Sequence, residues 1–307
     1  MRLLKDWSAL LRLPNHATAA ADVLAGWLLV KRLETVTMPD DTFWCVLAAS
    51  LCFYAAGMIL NDVFDVDLDR RERPERPLPT GSIAVPTASA VGHGLLVAGV
   101  LASAVASTRS QNWGTAVVGG ILAIAVYVYD RFAKPTPAGP LVMGGCRSLN
   151  WLLGMTAAGG PTESADWLVP AGMGLYVAGI TLFARDEAVK PRFMPLVVGT
   201  MLALAGLVGA GSFPWLTSSS TGWLAAGRLQ NWTLLWSAIA GSVILRFVVG
   251  IANPSQESVR RAVVNAIVAI ITLDAVLVLA ACGESWAIVI IILIVPFLVG
   301  RRFASPT

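Results

Sequence analysis

The chain has 307 residues, 56% of them hydrophobic and only 13% charged, with a formal net charge of +3. A mean hydropathy of +0.70 excludes an ordinary soluble domain and marks an integral membrane protein. No basic stretch is interleaved with stacking aromatics, which excludes a nucleic-acid partner. Cys45, Cys52, Cys146 and Cys282 are scattered in apolar runs without metal-ligand spacing, so neither a disulfide nor a zinc site is expected.

In chain order, the N-terminal stretch MRLLKDWSALLRLPNH places Leu3, Leu4, Trp7, Leu10 and Leu11 on roughly one helix face. It is predicted to lie in the membrane interface, without a cleavable signal. Ten apolar runs long enough to cross a bilayer follow, over 17–33, 43–61, 87–107, 112–129, 140–160, 166–184, 193–212, 233–251, 262–282 and 285–300. The expected fold is therefore an all-α polytopic membrane bundle of nine to ten transmembrane helices, formed by one domain over 1–307. With the N-terminus in the cytoplasm, sixteen Lys and Arg residues fall on the cytoplasmic side. Only Lys31, Arg32, Arg109 and Arg228 fall opposite, an orientation the positive-inside rule favours. Nine spans would strand Arg301 and Arg302 on the wrong side, so an even number is preferred.

The second run closes on NDVFDVDLDRRERPERPLPTG, residues 61–81. At about 100° per residue, Asp62, Asp65 and Asp69 share a sector of about 60°, with Asn61 to one side and Asp67 pointing away into solvent. Clustered carboxylates repel unless cations lie between them, and Mg²⁺ is commonly held by one or two carboxylates plus substrate phosphates. The arginines that follow, Arg70 first, suit phosphate oxygens. A Mg²⁺–diphosphate site is one reading; a solvated loop with arginines placed by the positive-inside rule is the other.

The string N-D-x-x-D-x-x-x-D, at Asn61, Asp62, Asp65 and Asp69, followed by R-P-L-P-T-G, resembles the first signature of the UbiA superfamily of intramembrane prenyltransferases. The similarity extends to LLRLPNHATAAADVLAG, with Arg12 and Asn15. It also takes in VYDRFAKPTPAGPLVMGGCRSLNWLLGM and GITLFARDEA, which look most like the EboC-type branch. The resemblance implies a bundle with a cavity facing the cytoplasm, in which two aspartate motifs bind a polyprenyl diphosphate through Mg²⁺. The prenyl group would pass to an aromatic or other small acceptor. Asp62, Asp65 and Asp69 would hold Mg²⁺, and Asn61 would orient the diphosphate or a metal-bound water. Tyr129 and Lys134 match loosely the family's Tyr and Lys after the fourth span, though an interfacial tyrosine and a positive-inside lysine explain them equally well.

The family's second motif, D-x-x-x-D, is altered here: Asp186 and Glu187 stand in place, but the fourth position on is Lys190. Asp186 and Glu187 are expected to form a weaker second metal site, with Lys190 compensating diphosphate charge. The alternative is a non-catalytic or transport-related protein of the same fold that binds an isoprenoid or aromatic lipid precursor. The D-x-x-D-G-x-x-A-R pattern of a CDP-alcohol phosphotransferase is absent, and no convincing internal repeat supports an ion-coupled transporter. Within the apolar runs, Asp22, Arg147, Asn150, Arg246 and Asp274 are costly enough to mark interior positions. Arg147 and Asn150 share a face and are assigned to the diphosphate or its surroundings. Asp22, with Asn15, is assigned to the acceptor pocket, whereas Arg246 and Asp274 are expected to pair with each other. His93 is expected to hydrogen-bond between helices, and it lies too far from His16 in sequence to suggest a dyad.

Overall fold

The computed structural model describes residues 2–33, 35–187, 191–218 and 224–303, and every element among these residues is helical. They form α1 (Arg2–Leu11), a 3₁₀ turn over Leu13–Asn15, α2 (His16–Lys31), α3 (Asp41–Phe64), α4 (Val66–Glu72), α5 (Val85–Ser110) and α6 (Trp113–Val128). A π-turn over Tyr129–Ala133 leads to α7 (Gly139–Ala157), α8 (Leu168–Phe183), α9 (Phe193–Gly211) and the short α10 (Phe213–Leu216). The chain closes with α11 (Leu229–Ala252), α12 (Gln256–Cys282), α13 (Glu284–Ile292) and α14 (Ile294–Phe303). Each predicted apolar run coincides with one of these helices or helix pairs, and seven are long and apolar enough to cross a membrane. The last run is not continuous. Pro296 has no N–H and its ring crowds the carbonyl of residue 292, so α13 ends at Ile292 and the helix restarts at Ile294.

The sequence dictates how closely these helices approach. Lipid tails are as apolar as leucine, so helix association in a membrane relies on close backbone contact at small residues. At Gly26 a β-carbon would collide with the Trp151 carbonyl, and at Gly154 with that of Val23, which seats α2 directly on α7. Gly172 and Gly179 of α8 meet Gly206 and Gly199 of α9 in the same way. As a result α2 is enclosed by α3, α7, α12, α13 and α14, and residues 21–29 are buried throughout.

An arginine in the left-handed conformation bounds α2 at each end, Arg12 with φ 48° and Arg32 with φ 49°. Arg32 donates to the fully buried Asp166 at 2.9 Å at one end of the bundle, and Arg12 to Asp62 at 2.9 Å at the other. The latter is called the motif end below. There Leu10 of α1 packs against Ile59, Leu78, Ile83 and Ala88, which folds the 73–84 loop back under α3.

Candidate active site

One stripe of α3 organises the site. Ser50, Tyr54, Gly57, Asn61 and Asp65 recur at i, i+4, i+7, i+11 and i+15, so they line one face over about 22 Å. At its end, Asp65 interrupts α3 for one residue, yet Asp65 N–H reaches the Asn61 carbonyl at 3.0 Å and Asp69 N–H the Asp65 carbonyl at 2.8 Å. The helical path therefore continues into α4, and the buried Asp62 and Asp69 converge as the spacing predicts.

Arginines hold them together. Arg76 Nη1 donates to Asp69 Oδ2 at 2.8 Å and to Asp62 Oδ1 at 3.4 Å; Arg12 adds its bond to Asp62, and Arg73 stands 3.8 Å from Asp69. Arg76 can return to the mouth because α4 ends at Glu72, with Pro74 just beyond, and Gly81, with φ +74°, turns the chain while Leu78 and Ile83 bury themselves. Asp65 faces the other way and pairs with Lys134, whose Nζ also donates to Asn61 Oδ1 at 3.2 Å. Arg70 does not join this group. It is exposed and pairs at 2.6 Å with the exposed Asp67, so the guanidinium groups that reach the buried carboxylates are those of Arg76 and Arg12. The R-P-L-P-x-G string after the aspartates was the available signal for Arg76.

The fourth apolar run does not stop at Tyr129. It continues as the π-turn, closed by Lys134 N–H on the Tyr129 carbonyl at 3.0 Å, which gives structural meaning to the five-residue offset between Tyr129 and Lys134. Tyr129 is half-buried beside this turn. The residue that the turn aims at the mouth is Asp130, which sequence reasoning missed. It is buried, and its Oδ1 accepts from Asn61 Nδ2 at 3.3 Å. Its only sequence signal is that it lies four residues before Lys134.

The remnant of the second motif divides. Arg192, six residues on, grips Asp186 as a bidentate fork, from Nε at 2.8 Å and Nη2 at 3.0 Å. Glu187 is half-buried, and burial raises its carboxyl above the ordinary range, partly offset by Arg260 and then Arg73. Arg73, which stands 3.8 Å from Asp69, is thus close enough to act on Glu187 as well. Lys190 lies outside the described residues.

Deeper in the bundle, about 18 Å along α3 from Asp62, a second polar layer crosses it. Arg147 Nη2 lies 2.6 Å from Asp22 Oδ1, Asn150 Nδ2 donates to Asp22 Oδ2 at 3.0 Å, and Ser50 Oγ donates to Asn150 Oδ1 at 2.6 Å. Arg147 and Asn150 share a face as expected, and both bond to α2. Asp274 is fully buried beside Asp22 and Arg147, with no donor on either oxygen among the described residues, while Arg246 is exposed on α11. The expected Arg246–Asp274 pair does not form, because the two face opposite sides of their helices. His93 is likewise exposed and bonds back to its own helix, to the Ser89 carbonyl at 2.7 Å. Between the two layers stands Tyr54, with Asn15 within hydrogen-bonding reach and the His16 ring 5.0 Å away.

On the far side of α2 an apolar cavity of about 310 Å³ opens between α2, α3 and α13, lined by Ala20, Leu24, Phe43, Leu47, Trp286 and Leu293 among others. At the mouth, no three carboxylate, imidazole or thiolate groups among the described residues form a ready metal cage. The donor set nevertheless fits Mg²⁺, which keeps waters and is usually held by one or two carboxylates together with ligand phosphates.

These features define a membrane-embedded helical bundle with a mouth of carboxylates, guanidinium groups and an ammonium, suited to a polyanionic head on an apolar tail. The model of the UbiA prenyltransferase family matches residues 23–269, and the chain belongs to that family. Two digeranylgeranylglyceryl phosphate synthases are similar to it. That of Methanoculleus marisnigri is 28% identical over 249 residues, 74% of this chain and 83% of the relative. That of Metallosphaera sedula is 32% identical over 131 residues, so the match spans only 43% of that relative and 42% of this chain. Among solved structures, one described as giving insights into digeranylgeranylglyceryl phosphate synthase in membranes superposes with a TM-score of 0.68 at 20% identity, covering 92% of this chain and 100% of its own. A UbiA homologue from Archaeoglobus fulgidus bound to GPP and Mg²⁺ superposes with a TM-score of 0.57 at 15% identity, covering 86% of this chain and 99% of its own.

Proposed function

We propose that the protein moves a polyprenyl group from an allylic diphosphate to a small acceptor, with Mg²⁺, at the motif end of the bundle. The observation that carries this reading is the convergence of Asp62, Asp65 and Asp69 with Arg12, Arg76 and Lys134 at one mouth of an otherwise apolar bundle. The relatives' names as synthases favour turnover over carriage. Mg²⁺ would be held by Asp62, Asp65 and Asp69, with Glu187 opposite, and would neutralise charge on the departing diphosphate. Arg12, Arg76 and Lys134 supply N–H donors for phosphate oxygens, and Asn61 orients that group. The allylic C–O bond breaks with its electron pair leaving on the diphosphate, the acceptor bonds the carbon and its proton is released. The apolar helices keep water from intercepting the cation. The cavity between α2, α3 and α13 offers room for hydrocarbon, and Tyr54, Asn15 and Tyr129, with Asp22, Arg147 and Asn150 beneath, surround the acceptor. The excess of Lys and Arg on this side supports a cytoplasmic mouth and N-terminus.

Calorimetric titration of the detergent-solubilised protein with geranyl thiolodiphosphate, a donor whose C–S bond resists cleavage, tests this. Binding that requires Mg²⁺ and is lost in Asp62→Ala is expected; a folded protein that binds nothing, with or without Mg²⁺, overturns the reading.

A further inference from the structure

Each of the three aspartates of the first motif has a cation. Asp62 is held by Arg12 and Arg76, Asp69 by Arg76 and Arg73, and Asp65 by Lys134. Asp130 is different. It is only 7% exposed, and among the described residues no ion pair reaches it and no donor meets its Oδ2. Leaving a carboxylate oxygen buried without a donor or a counter-ion is costly, and proteins that tolerate such a group commonly use it. Near it stand Asn61 and Gly57 on α3 and Cys146 on α7, with the charges of Asp65, Lys134 and Arg12 close enough to act on it. Gly57 matters here, because a β-carbon there would lie 3.8 Å from Oδ2, and its absence leaves space beside the unpartnered oxygen.

The position is held deliberately. The π-turn shifts the end of α6 so that Asp130 and Lys134 both face α3, where Asn61 bridges them, donating to Asp130 and accepting from Lys134. On the other side, the carboxylate expected to complete a metal site, Asp186, is taken by Arg192. We infer that Asp130, rather than Asp186, is the carboxylate that completes the divalent-cation site, beside Asn61 of the first motif. This rests on the reading of the mouth as a Mg²⁺–diphosphate site. Asp65 and Asp130 then supply two hard anionic oxygen donors across Asn61, with the ligand's phosphates completing the coordination.

The test measures binding rather than turnover. Asp130→Asn keeps the shape and the Asn61 contact but removes the charge; Asp130→Glu restores the charge on a longer arm. With geranyl thiolodiphosphate as the probe, Mg²⁺-dependent affinity is expected to fall at least about tenfold in Asp130→Asn, the low end of what disturbing a metal's surroundings costs, and to recover in part in Asp130→Glu. Mn²⁺ bound in the presence of the probe, counted by electron paramagnetic resonance, should follow the same order, while Asp186→Asn should change either value less than about twofold on that scale. Asp130→Asn with wild-type Mg²⁺ dependence, or a loss in Asp186→Asn as large as in Asp130→Asn, overturns the assignment while leaving the diphosphate reading intact. A wild-type protein that shows no Mg²⁺-dependent binding overturns both.

Discussion

Arg76 offers the sharpest test of how the mouth is built. Its guanidinium is 10% exposed and bridges two buried carboxylates at 2.8 and 3.4 Å, whereas Arg70, six residues earlier in the same arginine-rich stretch, is 57% exposed and pairs only with Asp67. Truncating Arg76 to alanine leaves Asp62 with Arg12 and Asp69 with the longer Arg73 contact, so neither carboxylate is stranded. The stability loss should therefore fall short of the roughly 3–5 kcal/mol that breaking a lone buried pair costs. The larger effect is on ligand. A hydrogen bond to a charged group is worth about 1.5–3 kcal/mol, and each 1.4 kcal/mol is tenfold, so Arg76→Ala should weaken Mg²⁺-dependent binding of geranyl thiolodiphosphate by roughly 10- to 100-fold. Arg76→Lys should recover only part of this, because an ammonium cannot span two oxygens as a planar fork does. Arg70→Ala should change it less than about twofold, as for any exposed pair. Calorimetry on matched, folded preparations reads all three. Equal losses for Arg70→Ala and Arg76→Ala would show that the arginines act as a diffuse positive field and that the bridge has no special role.

Three further outcomes are expected. Arg147→Leu removes the only cation beside Asp22 among the described residues and should destabilise the protein by roughly 3 kcal/mol, seen as a clear fall in apparent Tm in detergent, whereas Asp274→Asn, which gives that layer a new donor, should be close to neutral or stabilising. Gly206→Ala forces a methyl into the α8 backbone at Gly172 and Tyr176 and should lower apparent Tm and yield, while Gly120→Ala, with open space around it, should do neither; equal behaviour of the two would refute the close-contact account of α8 and α9. Lys134→Met leaves Asp65 without its ammonium and should weaken diphosphate binding about tenfold, the scale of one charged hydrogen bond, in the same titration.

Much of this architecture was legible in the chain because the membrane imposes a single strong rule, that backbone polar groups must be satisfied within each span. The apolar runs therefore map onto helices almost end to end, and Asp62 and Asp69 still converge across a break at Asp65 because the i to i+4 bonds run on through it, while Asp65 itself turns to Lys134. What the sequence does not display is any contact made by a change of period or by a choice between like residues. A π-turn inserts one extra residue per turn, which moves Asp130 into the mouth without altering composition. Four arginines follow the aspartates, and only the fold of the Pro77–Gly81 turn selects Arg76 over Arg70. Asp186 reads as half of a metal motif until Arg192 closes on it. Asp274 and Arg246 looked like natural partners by charge, but helix rotation sends one inward and the other to the bundle surface.

The polar layer of Asp22, Arg147 and Asp274 also bears on how the chain is made. Each of the three sits on a different helix, α2, α7 and α12, and each alone would cost its helix about 2.5–3.5 kcal/mol on entering the bilayer. The partners are far apart along the chain: Arg147 of α7 follows Asp22 of α2 by more than a hundred residues, and Asp274 of α12 comes later still. The ion pair, and the Gly26–Gly154 contact that lets the two helices meet, can therefore form only after α7 has been made. The helix at the centre of the finished bundle thus gains its charge partner late in synthesis.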